Sequence, residues 1–594
     1  MFKKSIIFSA LLMTTTVVNA GSIEGLKLQP IGQPLGNVVV NPYEHAPLTA
    51  VVQLHGHEIR NVSVIVHKND ADGVSIQYPV SDKRIQEDGG VPIFGLYPDF
   101  YNTVTVKWTE GGEKKSHDYK ILTPDIDMGF SGNHQWAKAP KVTPVKVDTK
   151  FKDRLYLYNW TSATPKDAQI AHNNNLAPGA LAWDGTPGIF IADTAGDIRW
   201  YLNPHTTHNG NHREKAGYAM GFNVTDDGHL VYVQGQSYKK LTLTGRMVFD
   251  RSLPRGFIDA SHEGIQVENG NYLLRVAKEN YALPDGRRVN TIRDHIIEVD
   301  EAGNLVDVWD LNKILDPYRD AALLSLDAGA VCLNIDVDQA GHQVTEDDLK
   351  NAPFGDIPGV GPGRNWAHVN SIDYDPVDDS IIISSRHQSA VIKIGRDKEV
   401  KWILGPKVGW DKARFGDKLL NPVDGNGKTL SCTDNGDCGD KFEFSYTSHT
   451  AYKVDEKGTW TVFDNGDGRN TEQPAMPSMK YSRAVEYKID EENMTVKQLW
   501  EIGKDRGIEF YSPITSIVKY QADKDSMMVY SASSNIFGVG GGLGNMKMDN
   551  TTGKVISYLV ETPYGSKKPA VEIKVESNRL FSTGYRAQVI IPNF

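Results

Sequence analysis

Three cysteines in 594 residues exclude a fold stapled together by disulfides. Cys432 and Cys438 face each other across the loop-forming stretch TDNGD, and in an oxidising compartment they are expected to pair. So short a ring removes little chain entropy, so its use is to shape a loop. Cys332, between Val331 and Leu333, reads as a buried free thiol. Basic charge is also in short supply. The net charge of −11 leaves no electrostatic footprint for nucleic acid. No GxxxxGK[ST] loop is present to cradle a nucleotide, and the glycine run GVGGGLG from Gly538 lacks the strand-and-helix setting of a nucleotide site. It reads as a loop between strands. From Leu155 onward helical periodicity is almost absent, which excludes a helical solenoid.

Long apolar runs are absent after the first twenty residues; none approaches the ~20 residues of a membrane helix. The N-terminus itself reads as an export signal. Lys3 and Lys4 form a basic segment, Ile6 to Val18 an apolar core, and Val18-Asn19-Ala20 a small-residue cleavage site before Gly21. An uncleaved anchor is the alternative, and the run is short for one. Residues 1–20 are therefore expected to be removed, leaving an exported protein with no membrane span.

Residues 21–130 hold short alternating strands such as LTAVVQLHG, NVSVIVHK and NTVTVKWTE, separated by turn residues at regular spacing. They predict a small β-sandwich. From Leu155 the chain repeats itself. One unit reads HVNSIDYD, SIIISSR, SAVIKIGRD, VKWILG; the next reads HTAYKVDEKG, TWTVFDNG, SRAVEYKID, VKQLWEIG. An earlier one opens HEGIQVENG, and weaker copies begin near Gly179, Gly221 and Ile514. Four antiparallel strands repeated about six times predict an all-β fold, a six-bladed β-propeller over 131–594 behind the sandwich. Two units are interrupted. The first insertion, between Leu311 and Trp366, includes a predicted short helix, PYRDAALLSLDAG; the second, from Gly405 to Ser445, carries the cysteine pair. Loops this long in a compact repeat fold tend to serve a site.

His262, His368 and His449 each open the first strand of three consecutive units. The innermost strand of a blade lines the central channel, so the three side chains are expected to ring one mouth of it. Arg386 ends the second strand of the middle unit, beside the start of the first in an antiparallel pair. A lone histidine in such a place is ordinarily a structural hydrogen-bonder. Three at equivalent positions with an arginine beside them read as a site, since the copy near Met220 shows that a blade does not require the histidine. A metal centre is one answer, histidine being the commonest ligand. An arginine would be repelled by a dication, however, and the set suits an oxyanion better. One imidazole left free to attack would then support covalent transfer of a phosphoryl or sulfuryl group. The acid clusters DNGDG and TDNGDCGD read as turns, without the spacing of a calcium loop.

SYTSHTAY, NWAHVNSIDYDP, SSRHQSAVIKI and DASHEGIQV, with Cys432 and Cys438 shortly before His449, resemble the bacterial periplasmic arylsulfate sulfotransferases over the whole exported chain. That resemblance implies a catalytic set in this numbering. His449 would carry the sulfuryl group as a sulfohistidine, with His262, His368 and Arg386 binding its oxygens and Asn370 as a further neighbour. It implies an aryl sulfate donor, a phenolic acceptor, ping-pong transfer and no cofactor or metal. It also implies a periplasmic homodimer whose disulfide is made by a thiol-oxidising enzyme. Tyr97 and Tyr101 are candidates for one wall of a phenol pocket. The competing expectations are a propeller that binds an aromatic or anionic ligand without catalysis, and a metal-dependent hydrolase.

Overall fold

The computed structural model describes residues 34–129, 139–162, 185–317 apart from 213, residue 319, 365–471 apart from 467, 481–534, 555–577 and 582–594. The leader, Cys332, the helix expected in PYRDAALLSLDAG, the start of the copy near Gly179 and the glycine run at Gly538 lie outside them. Among the described residues no helix is long and apolar enough to cross a membrane.

The N-terminal unit is made of two antiparallel sheets, as its alternating pattern requires. Val38–Val40, Thr49–Gln53 and Gly90–Phe94 form one; Ile76–Val80, Arg60–Val66, Tyr101–Glu110 and Glu113–Leu122 form the other. Val62, Val64, Val66, Val104, Val106 and Trp108 are buried between their polar neighbours and share one core with Val38, Val40, Ala50, Val52 and Ile93. That periodicity of two is the reason each strand can bury one face. The same apolar core continues into the next unit through Tyr156, Trp160 and Trp200.

Six further sheets follow, each with four antiparallel strands at its heart. Their innermost strands are Ser582–Ile590, Ala219–Val224, Gly264–Gln266, Val369–Asp375, Thr450–Val454 and Ile517–Gln521. Each inner strand touches the inner strand of the next sheet, and Ile517–Gln521 returns to Ser582–Ile590, so the ring closes. The result is a six-bladed propeller. Its first blade contains Leu155–Ser162, Thr186–Asp193 and Ile198–Tyr201, yet its inner strand comes from the C-terminus, with Ile590 opposite Leu155. The weak copy expected to begin near Gly179 therefore does not supply its own first strand. Pairing of Ser582–Ile590 with Leu155–Ser162 joins the two ends of the chain in one blade and so closes the ring.

The N-terminal unit sits on the outermost strand of the first blade. Arg199, fully buried there, pairs with Asp193 at 2.7 Å and donates to the carbonyls of Gly95 and Val74. Its guanidinium lies 3.6 Å from the centre of the Tyr97 ring. The Cys432–Cys438 disulfide is formed. It lies between the fourth strand of the fourth blade, Val400–Leu404, and the inner strand of the fifth, Thr450–Val454, where the second insertion was expected.

Candidate functional site

His262, His368 and His449 each immediately precede or lead into an inner strand, and all three are buried. The ring centres of His262 and His368 are 5.4 Å apart, those of His262 and His449 6.2 Å. The backbone is unusual at this end of the ring. His262 and His368 have φ of 68° and 46°, Thr447 has 49° and Ser516 has 103°. Each left-handed non-glycine residue costs of order 1–3 kcal/mol, and such residues concentrate where geometry serves a purpose other than stability. Arg386 lies where the antiparallel argument puts it: its N–H donates to the His368 carbonyl at 3.1 Å. Its Nη1 donates across to the Thr447 carbonyl at 2.9 Å, two residues before His449. Asn370 is also buried here. Its Nδ2 donates to the Ser448 carbonyl at 3.3 Å, while its Oδ1 is enclosed without a hydrogen-bond partner.

The hydrogen bonds set His449 and His262 in opposite tautomers. His449 Nδ1 lies 2.9 Å from the Ser516 carbonyl, which can only accept, so the proton is on Nδ1 and Nε2 carries the lone pair. His262 is the reverse. Its Nδ1 lies 2.8 Å from Ser261 Oγ and 3.4 Å from Arg275 Nη2; the guanidinium can only donate, so the imidazole proton is on Nε2. His368 Nδ1 faces Asn365 Nδ2 at 2.9 Å, and Arg293 Nη1 lies against both of its ring nitrogens, 3.1 Å from Nδ1 and 3.2 Å from Nε2, so its partners do not select one tautomer. His449 thus offers a lone pair at Nε2, and His262 an N–H donor. Burial holds all three well below the usual histidine pKa, reinforced by Arg293 and Arg275 at His262, by Arg293 at His368, and by Arg586 and Arg386 at His449. They are neutral at pH 7. A lone pair on one imidazole and an N–H on another thus stand among the guanidinium groups of Arg275, Arg293 and Arg386.

Several members of this cluster escape a reading of the sequence. Arg275, in the second strand of its unit, donates its N–H to the Glu263 carbonyl at 3.2 Å, much as Arg386 does to His368. The repeat comparison that singled out Arg386 could have found it. Arg293 leads into a third strand, and Ser516 acts through its carbonyl, so neither carries a sequence signal. Tyr585, on the closing strand, has its ring 5.1 Å from His449 and 6.0 Å from His262, and its hydroxyl donates to the His262 carbonyl. His387 packs its ring 4.5 Å from that of His368 and donates from Nδ1 to the Asn365 carbonyl. Tyr97 and Tyr101 stand elsewhere. Tyr97 is taken up beneath Arg199 at the contact between the two units, and Tyr101 is 66% exposed on the sandwich. The aromatic side chain beside the histidines is Tyr585. Among the described residues no three His, Cys, Asp or Glu side chains are gathered as a metal site.

The disulfide loop reaches this cluster through Tyr446. The Tyr446 hydroxyl donates to the Asn435 carbonyl inside the ring at 2.8 Å, and its N–H donates to Asp464 Oδ1 at 2.8 Å. Gly436, with φ of 98°, packs so closely that a Cβ there would come within 2.3 Å of the Tyr446 oxygen. Tyr446 is three residues from His449.

Fold and site define a propeller protein with buried histidines and arginines gathered at one end of its ring. The chain belongs to the arylsulfotransferase family: residues 141–586 match the family's model, described as arylsulfotransferase (ASST), and residues 37–124 match its Ig-like domain. It is 48% identical over 607 residues to the arylsulfate sulfotransferase AssT of Escherichia coli O6:H1, covering 100% of this chain and 98% of that one. It is likewise 48% identical over 578 residues to AssT of Lelliottia amnigena, covering 95% of this chain and 94% of the relative. Among solved structures, a Bacteroides caccae protein of unknown function is similar at 11% identity and a TM-score of 0.35, over 74% of this chain and 99% of that one, a likeness too low to carry an argument.

Proposed function

We propose that the enzyme moves a sulfuryl group from an aryl sulfate to a phenol in two half-reactions through a sulfohistidine at His449. In the first, Nε2 attacks sulfur, the N–S bond forms and the S–O bond to the ring breaks, releasing a phenolate. In the second, an acceptor phenol gives its proton to solvent, its oxygen attacks sulfur to form the new S–O bond, and the N–S bond breaks to return the neutral imidazole. Arg386, the Nε2–H of His262, and His368 hold the sulfuryl oxygens, and Asn370 adds a further polar contact. Like phosphoryl transfer, this chemistry asks for an in-line nucleophile and strong stabilisation of equatorial oxygens. The observation that carries the reading is the Ser516 carbonyl on His449 Nδ1, because it leaves Nε2 as the unprotonated nitrogen. The family and its curated relatives support the choice of an aryl sulfate as donor.

The testing experiment is intact-mass analysis after brief exposure to nitrophenyl sulfate without acceptor, followed by peptide mapping. One added sulfuryl group on His449 is expected. No adduct under burst conditions, or release of nitrophenol only after both substrates are bound, would rule out the two-step route. Binding without any release would leave a ligand-binding propeller, and loss of activity on exhaustive chelation would favour the metal-dependent hydrolase.

Because burial and neighbouring arginines hold the His449 pKa well below 6.5, its nucleophilic form is fully populated through neutral pH. The nitrophenol burst rate should be flat from pH 8 to below pH 6, and a half-point at the ordinary histidine pKa would contradict this assignment. The disulfide gives a second expectation. Removing so short a ring costs only about 2 kcal/mol by chain entropy, the low end for a disulfide, so Cys432→Ser/Cys438→Ser should fold, as judged by circular dichroism. It should lose much of its turnover because Tyr446 and the segment entering His449 are no longer held; full turnover would sink the idea.

Residues 1–20 are proposed to be cleaved on export, leaving a sandwich domain to residue 130 and a catalytic propeller over 131–594. The enzyme would work in the periplasm as a homodimer, with a thiol-oxidising partner closing Cys432–Cys438. The export pattern around Lys3, Lys4 and Ala20 and the formed disulfide support that setting.

A further inference from the structure

A single guanidinium links the three strands that carry the histidines. Arg586 Nη1 donates to Glu263 Oε2 at 2.5 Å and to the Tyr452 hydroxyl at 3.1 Å, and Nη2 donates to the Asn370 carbonyl at 2.7 Å. Glu263 stands one residue past His262, Asn370 two past His368, and Tyr452 three past His449. Arg586 comes from none of these strands; it belongs to Ser582–Ile590, which closes the ring from the C-terminus.

The Glu263 carboxylate is fully committed. Its Oε1 accepts from Asn223 Nδ2 at 2.5 Å, and its Oε2 accepts from the Tyr452 hydroxyl at 2.8 Å as well as from Arg586. Glu263 is fully buried and Arg586 is 2% exposed. An ion pair this deep is a weak source of stability, because apolar replacements of similar volume are often neutral or stabilising. Its retention beneath three strained, polar blade entrances calls for another reason.

Resting on the reading of His449 as nucleophile, we propose that Arg586 is a positioning residue for sulfuryl transfer: through Glu263, Asn370 and Tyr452 it fixes the three imidazoles relative to one another and sets the positive potential around His449. The groups that face His449 are Arg586 and Tyr585 from the closing strand, Arg386 from the fourth blade, His262 from the third and the Ser516 carbonyl from the sixth. After burial, Arg586 is the strongest of them in disfavouring an imidazolium, and Arg386 follows. Arg586 itself stays charged: burial works against its charge, but Glu263 and the two tyrosines outweigh it and raise its pKa above the ordinary arginine value.

The test compares full-length wild type, Arg586→Met, Arg586→Lys and Glu263→Gln, using nitrophenyl sulfate with and without phenol. Arg586→Met should slow the donor half-reaction about 100-fold, the scale of loss when reacting groups are displaced by about 1 Å. Its acid limb should move up by about one pH unit or more, because removing a nearby positive charge favours the imidazolium. Arg586→Lys should return the acid limb to the wild-type position without restoring the rate, since one ammonium cannot reproduce a planar fork spanning three acceptors. Where Arg586→Met fails to fold, Glu263→Gln decides. It keeps the guanidinium charge and releases its anchor, so the rate should fall about tenfold with no upward shift of the acid limb. Folded variants that lose thermal stability but keep the wild-type rate and pH profile would overturn the proposal, and so would Glu263→Gln at full rate. If wild type forms no adduct at His449, the nucleophile reading falls and this one with it; if the adduct forms and Arg586→Met behaves as wild type, only this one falls.

Discussion

Replacing His449 with asparagine is expected to abolish the sulfuryl adduct and to lower turnover by about 10⁴-fold or more, the scale seen when a covalent nucleophile is removed. Asparagine is the informative choice because its amide nitrogen falls near the position of Nδ1. It can therefore keep the donor to the Ser516 carbonyl, 2.9 Å away in the native site, while removing the Nε2 lone pair. The variant should retain the wild-type circular dichroism spectrum and melting temperature within a few degrees. Steady-state nitrophenol release in the presence of phenol measures the loss. Turnover within tenfold of wild type in a folded His449→Asn protein would remove His449 from the mechanism.

Arg386→Leu is expected to be nearly as severe. Preorganised donors aimed at developing charge contribute about 10²–10³ in rate each, and Arg386 also ties the fourth blade to the segment before His449 through the Thr447 carbonyl. The loss should appear mainly in kcat, because in the proposed transfer the arginine is needed most as the S–O bond breaks and charge shifts toward the departing phenolic oxygen. Arg386→Lys should recover part of the rate and not all of it. A lysine restores the positive charge but cannot both reach the Thr447 carbonyl and present a second N–H to the substrate. Equal kcat in Arg386→Leu and wild type, with only KM changed, would show that the guanidinium binds substrate without stabilising the transfer.

The histidine cluster was legible because a repeat fold turns positions in sequence into positions around an axis. His262, His368 and His449 occupy the start of the first strand in three successive units, and equal places in neighbouring blades are neighbours in space. Arg386 followed from antiparallel pairing alone, and the cysteine pair from its short separation. Arg293 and Arg586 were not legible for a definite reason. Arg293 enters through the third strand of one blade and reaches His368 of the next, 75 residues later. Arg586 acts on Glu263, 323 residues earlier, across a channel whose closing strand shares no repeat pattern with its own blade. Tyr97, chosen as an aromatic near a turn, is instead consumed by the cation–π contact that seats the N-terminal unit on Arg199.

The amino-acid sequence by itself determined the all-β character, the sandwich followed by repeated four-stranded units, the three histidines with Arg386 at one end of them, and the disulfide loop. Those features depend on periodicity of two, on turn residues and on spacing within a unit, all of which are local. The tertiary structure alone decided the rest. It showed that the C-terminal strand completes the first blade, that Tyr585 and Arg586 thereby enter the site, and that His449 and His262 are held in opposite tautomers. A tautomer is set by whichever group a ring nitrogen faces, and for His449 that group is a backbone carbonyl 67 residues away whose position only the closed ring fixes.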